Sequence, residues 1–168
     1  MLNFRIKIDD KEIYKMIKKQ PKAVLSVGFW DDMYEEIDKG FYSSYGLGGK
    51  TTGKPRRYGP RKAISVAEVA AANEFGGGHR PPRPFMSWTL KNRSRKWRNV
   101  IKDVLPQYAH DLKKVLSVLG EIAAEDLADT IKIWTRPPNA PSTVKRKGFN
   151  DPLVDSGQMM NSVRWKVE

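Results

Sequence analysis

The stretch Leu112-Lys-Lys-Val-Leu-Ser-Val-Leu-Gly-Glu-Ile-Ala-Ala-Glu-Asp-Leu-Ala-Asp-Thr-Ile-Lys-Ile133 repeats apolar residues at helical spacing. Leucine, valine and isoleucine recur every three or four positions, which gathers them on one face of a helix. The helical pattern begins at about Phe85, and Pro106 predicts a kink or break, because proline lacks the amide that a helix interior needs. The chain therefore contains a long helical stretch with one apolar face.

Shorter segments on both sides of this stretch predict strands and a further helix. Residues 2–8 and 162–167 alternate apolar and polar side chains, as half-buried strands do, and residues 23–30 read as another strand. Asp9 or Asp10 is expected to cap a helix that runs to about Lys19. Residues 134–148 are rich in Pro, Asn, Ser and Lys, which predicts a loop.

Composition narrows the class of protein. A chain of 168 residues fits one domain, expected to span 1–168. It has no cysteine and two histidines, so metal centres and cofactors are not expected. No apolar run is long enough for a membrane span, which predicts synthesis in the cytoplasm without a membrane partner.

The net charge of +12 implies an anionic partner, either nucleic acid or an acidic protein surface. The charges are segregated: residues 39–62 and 80–102 hold bases and no acid, whereas acids gather at 31–38 and 121–129. Surfaces of opposite sign allow copies of one chain to meet head to tail, which is the geometry of a ring.

Residues 38–62 mix glycine with basic residues over a length unusual for a connection, which predicts a flexible arm. We expect this arm to become ordered only on contact with neighbouring proteins. The residues expected at such contacts between subunits are Lys50, Lys54, Arg56, Arg57, Arg61 and Arg83.

Ser65-Val-Ala-Glu68 has the spacing of a capping box and predicts a short helix from Val66 to about Phe75. Residues 76–78 are glycines that end it, and the prolines of residues 81–84 force an extended stretch. Near the C-terminus, Asp155 or Ser156 is expected to cap one more helical turn.

Two acidic residues raise the question of catalysis. Glu74 could act as an acid on a loop, but pairing with Arg80 or Arg83 at the helix end is the favoured interpretation. Asp155 could bind a metal, although such residues more often cap a turn. A hydrolase or nuclease that uses Glu74 and Asp155 is a weaker alternative, and the chain is not expected to be an enzyme.

Basic residues on the first part of the helical stretch could contact nucleic-acid phosphates. This non-specific nucleic-acid-binding face is the alternative function. Trp88, Trp97 and Trp165 are expected in the core rather than stacked on bases. The predicted phosphate-contacting residues are Lys91, Arg93, Arg95, Lys96 and Arg98.

Four segments together resemble a family of virion proteins from long-tailed bacteriophages, the neck, head–tail joining or tail-completion proteins often labelled minor tail component. They are Ala72-Asn-Glu-Phe-Gly76, Pro82-Arg-Pro-Phe85, 141–148 and Pro152-Leu-Val-Asp-Ser-Gly-Gln-Met-Met-Asn-Ser-Val163. The resemblance covers roughly residues 63–167. Two extra glycines and His79 after Gly76, and a longer arm, depart from the family pattern.

The resemblance implies an α+β fold, with a small antiparallel or mixed sheet and a long helix packed across it. It also implies a ring of identical subunits that joins the DNA-filled head to the tail, in contact with other neck, connector and tail proteins. Passing genomic DNA would be met without sequence reading. The residues that carry the structural motifs are Ser65, Glu68, Glu74, Gly76, Pro84, Phe85, Leu153, Asp155 and Gly157.

Overall fold

The computed structural model describes residues 1–6, 11–17, 22–30, 65–78, 80–108 and 111–168, except the side chains of residues 12, 14 and 16. The predicted arm and its residues Lys50, Lys54, Arg56, Arg57 and Arg61 lie outside these ranges, as do the predicted caps Asp9 and Asp10. The described elements are β1 Leu2–Arg5, α1 Lys11–Ile17, β2 Leu25–Phe29, α2 Val66–Phe75, α3 Phe85–Val104, α4 Leu112–Ile133, α5 Pro141–Lys147, α6 Gln158–Asn161 and β3 Arg164–Val167.

The three described strands form an antiparallel sheet in the order β1-β2-β3. Leu2 lies opposite Phe29 in the first pair, and Val27 lies opposite Trp165 in the second. Every residue of β2 is buried, whereas β3 alternates exposed and half-buried residues as its sequence predicts. β2 is buried along its whole length because it lies between β1 and β3 and is covered by helices.

The long helix α4 packs across β2 and β3 and also against α3. Its buried residues follow the predicted stripe and include Leu119, Leu127 and Ile131, each fully buried. At Gly120 the indole of Trp165 comes so close that an added Cβ would lie 2.6 Å from Cδ2 of the ring. The α+β fold with a long helix across a small sheet is therefore confirmed.

The second long helix, α3, reaches the sheet through aromatic side chains. Trp97 is 0% exposed and stacks on Phe4 with ring centroids 5.9 Å apart. Phe85, the first residue of α3, meets Phe29 edge to face at 6.3 Å. The chain leaves the helical path after Val104, so Pro106 marks a break between two helices, as predicted.

Two local predictions are wrong. Residues 141–147 form helix α5 rather than loop, because Pro141 supplies the fixed φ of a first helical position and Gly148 supplies a left-handed end at φ 81°. Neither Asp155 nor Ser156, the two residues predicted to cap helix α6, is at its N-cap position. Its N-cap is Gly157 at φ 79°, and the Ser156 hydroxyl accepts from the Gln158 amide at 3.4 Å.

Candidate interaction surfaces

Glu74 joins the end of α2 to the start of α3. Its carboxylate accepts hydrogen bonds from the amides of Met86 at 2.8 Å and Ser87 at 3.0 Å, and from the Ser87 hydroxyl at 2.5 Å. The residue is only 4% exposed. The expected pairing of Glu74 with Arg80 or Arg83 is wrong. The first amides of α3 have no partner within their helix and carry partial positive charge, so they bind the carboxylate in place of an arginine.

The capping box before this junction forms as predicted. The Ser65 hydroxyl accepts from the Glu68 amide at 3.1 Å, and the Glu68 carboxylate accepts from the Ser65 amide at 2.8 Å. At the other end of α2, Gly76 has φ 71°, and an added Cβ would lie 2.8 Å from the Pro82 nitrogen. A side chain at this position would be strained and would clash with Pro82. Glycine therefore allows the sharp turn of the chain toward α3.

Arg83 is 8% exposed and ties this turn to the segment that follows α4. Its guanidinium donates to the carbonyls of Pro137 at 3.1 Å and Pro138 at 3.2 Å, and to the amide oxygens of Asn73 and Asn139. Burial lowers the pKa of Arg83, and the nearby charge of Arg80 lowers it further.

A cleft of about 360 Å³ opens where the resembling segments meet. We call it the motif cleft. Its lining comes from α2, the turn before α3, residues 138–140, α5 and residues 152–159. Leu153 is a buried part of this wall, and Asp155 and Gly157 line it too. The charged residues in the lining are Arg80, Arg83, Arg146, Lys147 and Asp155.

Lys147 binds the loop between α5 and α6, which borders the motif cleft. Its ammonium donates to the carbonyls of Asp151, at 2.8 Å, and Val154. It also lies 4.7 Å from the centre of the Phe149 ring. Burial lowers the pKa of Lys147, while Asp155 and Asp151 oppose that shift. Lys147 is therefore occupied by structural contacts, whereas Arg80 and Arg146 are exposed and form no ion pair with the described residues.

The predicted phosphate-contacting residues of α3 divide into two groups. Lys96 and Arg93 face α4, where the buried Asp126 carboxylate lies 2.8 Å from Lys96 Nζ and 3.6 Å from Arg93 Nε. The Trp97 indole donates to the same carboxylate at 2.8 Å. The members of the second group are Lys91, Arg95 and Arg98, which are exposed and form no ion pair with any described residue.

These last three residues define what we call the basic stripe. Their spacing of four and then three positions places them along one side of α3, away from the buried Trp97. Helix α4 carries a matching acidic stripe, Glu121, Glu125 and Asp129, at four-residue spacing. All three acids are exposed and unpaired among the described residues, on the side opposite Leu127. The molecule thus presents opposite charges on separate helix faces.

The tryptophans do not all lie in the core. Trp97 is fully buried, as expected, whereas Trp165 is half-buried against the core and Trp88 is 40% exposed. Trp88 lies in the first turn of α3 and contacts Trp134 edge to face at 6.3 Å. The expectation of a core position for Trp88 is wrong, because 40% of its surface stays exposed despite the contact with Trp134.

The described residues include no group of three or more acidic or histidine side chains placed to hold a metal ion. Glu74 and Asp155 do not form one site. Glu74 is buried against the first turn of α3, whereas Asp155 lines the motif cleft, whose lining does not include Glu74. Across the described ranges, no helix is long and apolar enough to cross a bilayer. Comparison of the chain with protein-family models, curated proteins and solved structures finds no match.

The sequence did not predict that Arg80, Arg146 and Lys147 would line the same cleft. They come from segments more than sixty residues apart in the chain, and no helical or strand spacing links them. The run Lys145-Arg-Lys147 was a visible signal of charge, but the sequence could not show which of its members would face the cleft. The structure puts Arg146 and Lys147 in the lining and leaves Lys145 outside it.

Proposed function

We propose that this chain is a structural protein of a tailed-phage virion, a subunit of the neck or tail-completion ring that joins head and tail. The resemblance of residues 72–85 and 141–163 to that family supports the virion role. The structure adds a physical reason for those motifs to occur together. Glu74 and Arg83 fix the first segment against α3 and against residues 137–139, and α5 and α6 border the same cleft.

The pair of charged stripes is the observation that carries the proposal. A ring needs two different surfaces on each subunit that complement one another, because every subunit meets one neighbour on each side. The basic stripe of α3 and the acidic stripe of α4 extend about 10 Å and about 12 Å at the rise of an α-helix. Opposite charges over similar lengths favour a head-to-tail contact between copies.

Electron microscopy of a phage lysate tests the virion role. An early stop codon in this gene is expected to leave full heads beside separate, finished tails. Supplying the intact gene from a plasmid should restore joined particles. Intact, infectious particles made without the protein would refute the role at the head–tail junction.

Analytical ultracentrifugation of the free protein tests the contact between stripes. Self-association is expected to weaken as salt rises, since exposed charges are screened within about 10 Å at 0.1 M. Arg95→Glu should abolish it, and adding Glu125→Lys to the same chain should restore it. Lys145→Glu changes net charge equally outside both stripes, so it is the matched control. Equal losses in Arg95→Glu and Lys145→Glu would contradict a specific contact.

A second candidate function uses the basic stripe differently, as a non-specific nucleic-acid-binding face. The specific observation in its favour is that Lys91, Arg95 and Arg98 are exposed on the helix that also carries the exposed Trp88. This candidate predicts binding to DNA of any sequence with an affinity that falls steeply with salt. Removing one of these cations should reduce that salt slope by about one. A slope unchanged in Arg95→Ala would argue against this candidate.

A further inference from the structure

The motif cleft is strongly positive for its size. Four cations and one carboxylate line it, and neighbouring cations contribute to a lowered pKa at two of the four. Arg80 lowers the pKa of Arg83, and Arg146 and Arg83 both lower the pKa of Lys147, although burial is the largest cause in each case. A concave surface lined mainly by one sign of charge concentrates its field on whatever enters.

Arg83 supplies the second observation. This guanidinium is more than nine-tenths buried, yet its hydrogen-bond acceptors are all neutral: two carbonyls and two side-chain amide oxygens. Buried charges usually lie against an opposite charge, because neutral acceptors replace only part of the lost hydration. Nearby, the Asn139 Nδ2 is buried without an acceptor among the described residues. The site is rich in donors and short of negative charge.

The rim of the cleft provides the free cations. Arg80 and Arg146 are both exposed, line the cleft from different segments, and pair with no described carboxylate. The other two cations are already committed, since Arg83 and Lys147 donate to backbone carbonyls. An incoming anion would therefore meet the guanidinium groups of Arg80 and Arg146 first, with the charge of Arg83 behind them.

The remaining lining distinguishes between kinds of anion. Val66, Val69, Leu153 and Met159 form apolar wall, and the Asp155 carboxylate is also present. A nucleic-acid backbone would bring phosphates against Asp155 and would leave the apolar wall unused. A peptide can place carboxylate side chains at the arginines, an apolar side chain on the wall, and a backbone amide toward Asp155.

We propose that the motif cleft binds an acidic peptide segment of another protein chain, with one apolar side chain among its carboxylates. Arg80 and Arg146 bind the carboxylates, and residues of α2 and α6 contact the apolar side chain. In a virion neck, such a segment would belong to an adjoining protein. Binding at the cleft is nevertheless a property of the free protein and does not depend on ring formation.

The test uses a fluorescent peptide, Glu-Glu-Leu-Glu-Glu, and the matched neutral peptide Gln-Gln-Leu-Gln-Gln, titrated with the full chain and followed by anisotropy. The acidic peptide is expected to bind at least about ten-fold more tightly, the minimum for one charge-assisted pair. Arg146→Glu and Arg80→Glu should each weaken that binding by about ten-fold or more. Lys145→Glu, on the same helix but outside the lining, should change it by less than about two-fold.

Several outcomes would overturn the assignment. Absent binding, or equal binding of the two peptides, would remove the acidic ligand. Equal losses in Arg146→Glu and Lys145→Glu would show attraction by net charge alone. Full displacement of the peptide by inorganic phosphate would indicate a simple anion site. A short DNA duplex whose affinity depends on Arg146 but not on Lys145 would assign the cleft to nucleic acid. The result is separate from the lysate experiment, so either proposal can fail alone.

Discussion

Replacing Glu74 with alanine tests the junction between α2 and α3 most directly. The change removes the acceptor for the Met86 amide, which is buried, and for the Ser87 amide, which is partly buried. An orphaned buried donor costs about 1–3 kcal/mol. Loss of a negative charge at a helix N-terminus adds about 0.3–1 kcal/mol. The Ser87 amide is only partly buried and adds less, so we expect a loss of about 3 kcal/mol in the free energy of unfolding.

Urea unfolding monitored by tryptophan fluorescence measures this loss, since Trp97 is buried in the folded state. Glu74→Gln keeps one acceptor oxygen but no charge, so it should lose less, about 1–2 kcal/mol. Glu125→Ala removes an exposed acid and should stay within about 0.5 kcal/mol of the original chain. Hydrogen exchange at Met86 and Ser87 should quicken in Glu74→Ala before it quickens in the core.

If Glu74→Ala stays within about 0.5 kcal/mol of the original chain, the two amides are satisfied by water or by another acceptor. Glu74 would then be available for another role. Metal-dependent hydrolysis that is lost in both Glu74→Gln and Asp155→Asn would favour the enzymatic alternative.

Three further changes test the packing and the caps. Gly120→Ala gains about 1 kcal/mol of helix propensity but pushes a methyl group into the Trp165 ring. The free energy of unfolding should therefore fall by about 1–2 kcal/mol, and a rise would refute this contact. Trp97→Phe removes a buried indole and the donor to Asp126, and chemical unfolding should report a loss of about 2–4 kcal/mol. The Asp111 carboxyl has a lowered pKa, chiefly because it accepts from the backbone amide at the start of α4. Its stabilisation is present above the unfolded pKa of about 3.9 and is lost as pH falls through the lower folded value. The melting temperature of Asp111→Ala should therefore be reduced at neutral pH and should match that of the original chain in strong acid.

Much of the fold could be predicted because its signals are local. The capping box at Ser65 and Glu68 depends on two residues three positions apart, and it forms as the spacing requires. The apolar stripe of α4 depends only on helical periodicity. Helix α5 escaped prediction although Pro141 and Gly148 mark its ends, because the abundance of Pro, Asn and Ser in residues 134–148 favoured a loop.

The candidate sites were predicted less well, because each joins distant segments. The sequence indicated a basic face on α3, but it could not show that Asp126 of α4 would take up Lys96 and Arg93 and leave the other cations exposed. Glu74 precedes Arg80 and Arg83 by six and nine positions in the sequence, which suggested ion pairs. In the folded chain its carboxylate instead accepts from the backbone amides of Met86 and Ser87. A pattern of side chains does not show that these amides will lie next to Glu74.

Most helices and strands, with the exception of α5, could be predicted from local sequence alone, because caps, breaks and periodicity act within a few residues. The sequence also determined the basic balance of the chain, which is a sum over side chains. Which charges remain without an ion-pair partner among the described residues depends on the packing of the helices. Ion pairing and burial depend on distances across 30 or more positions, such as Lys96 to Asp126 or Arg83 to the Pro137 carbonyl. The motif cleft exists because three separate segments meet, and its positive charge results from that meeting.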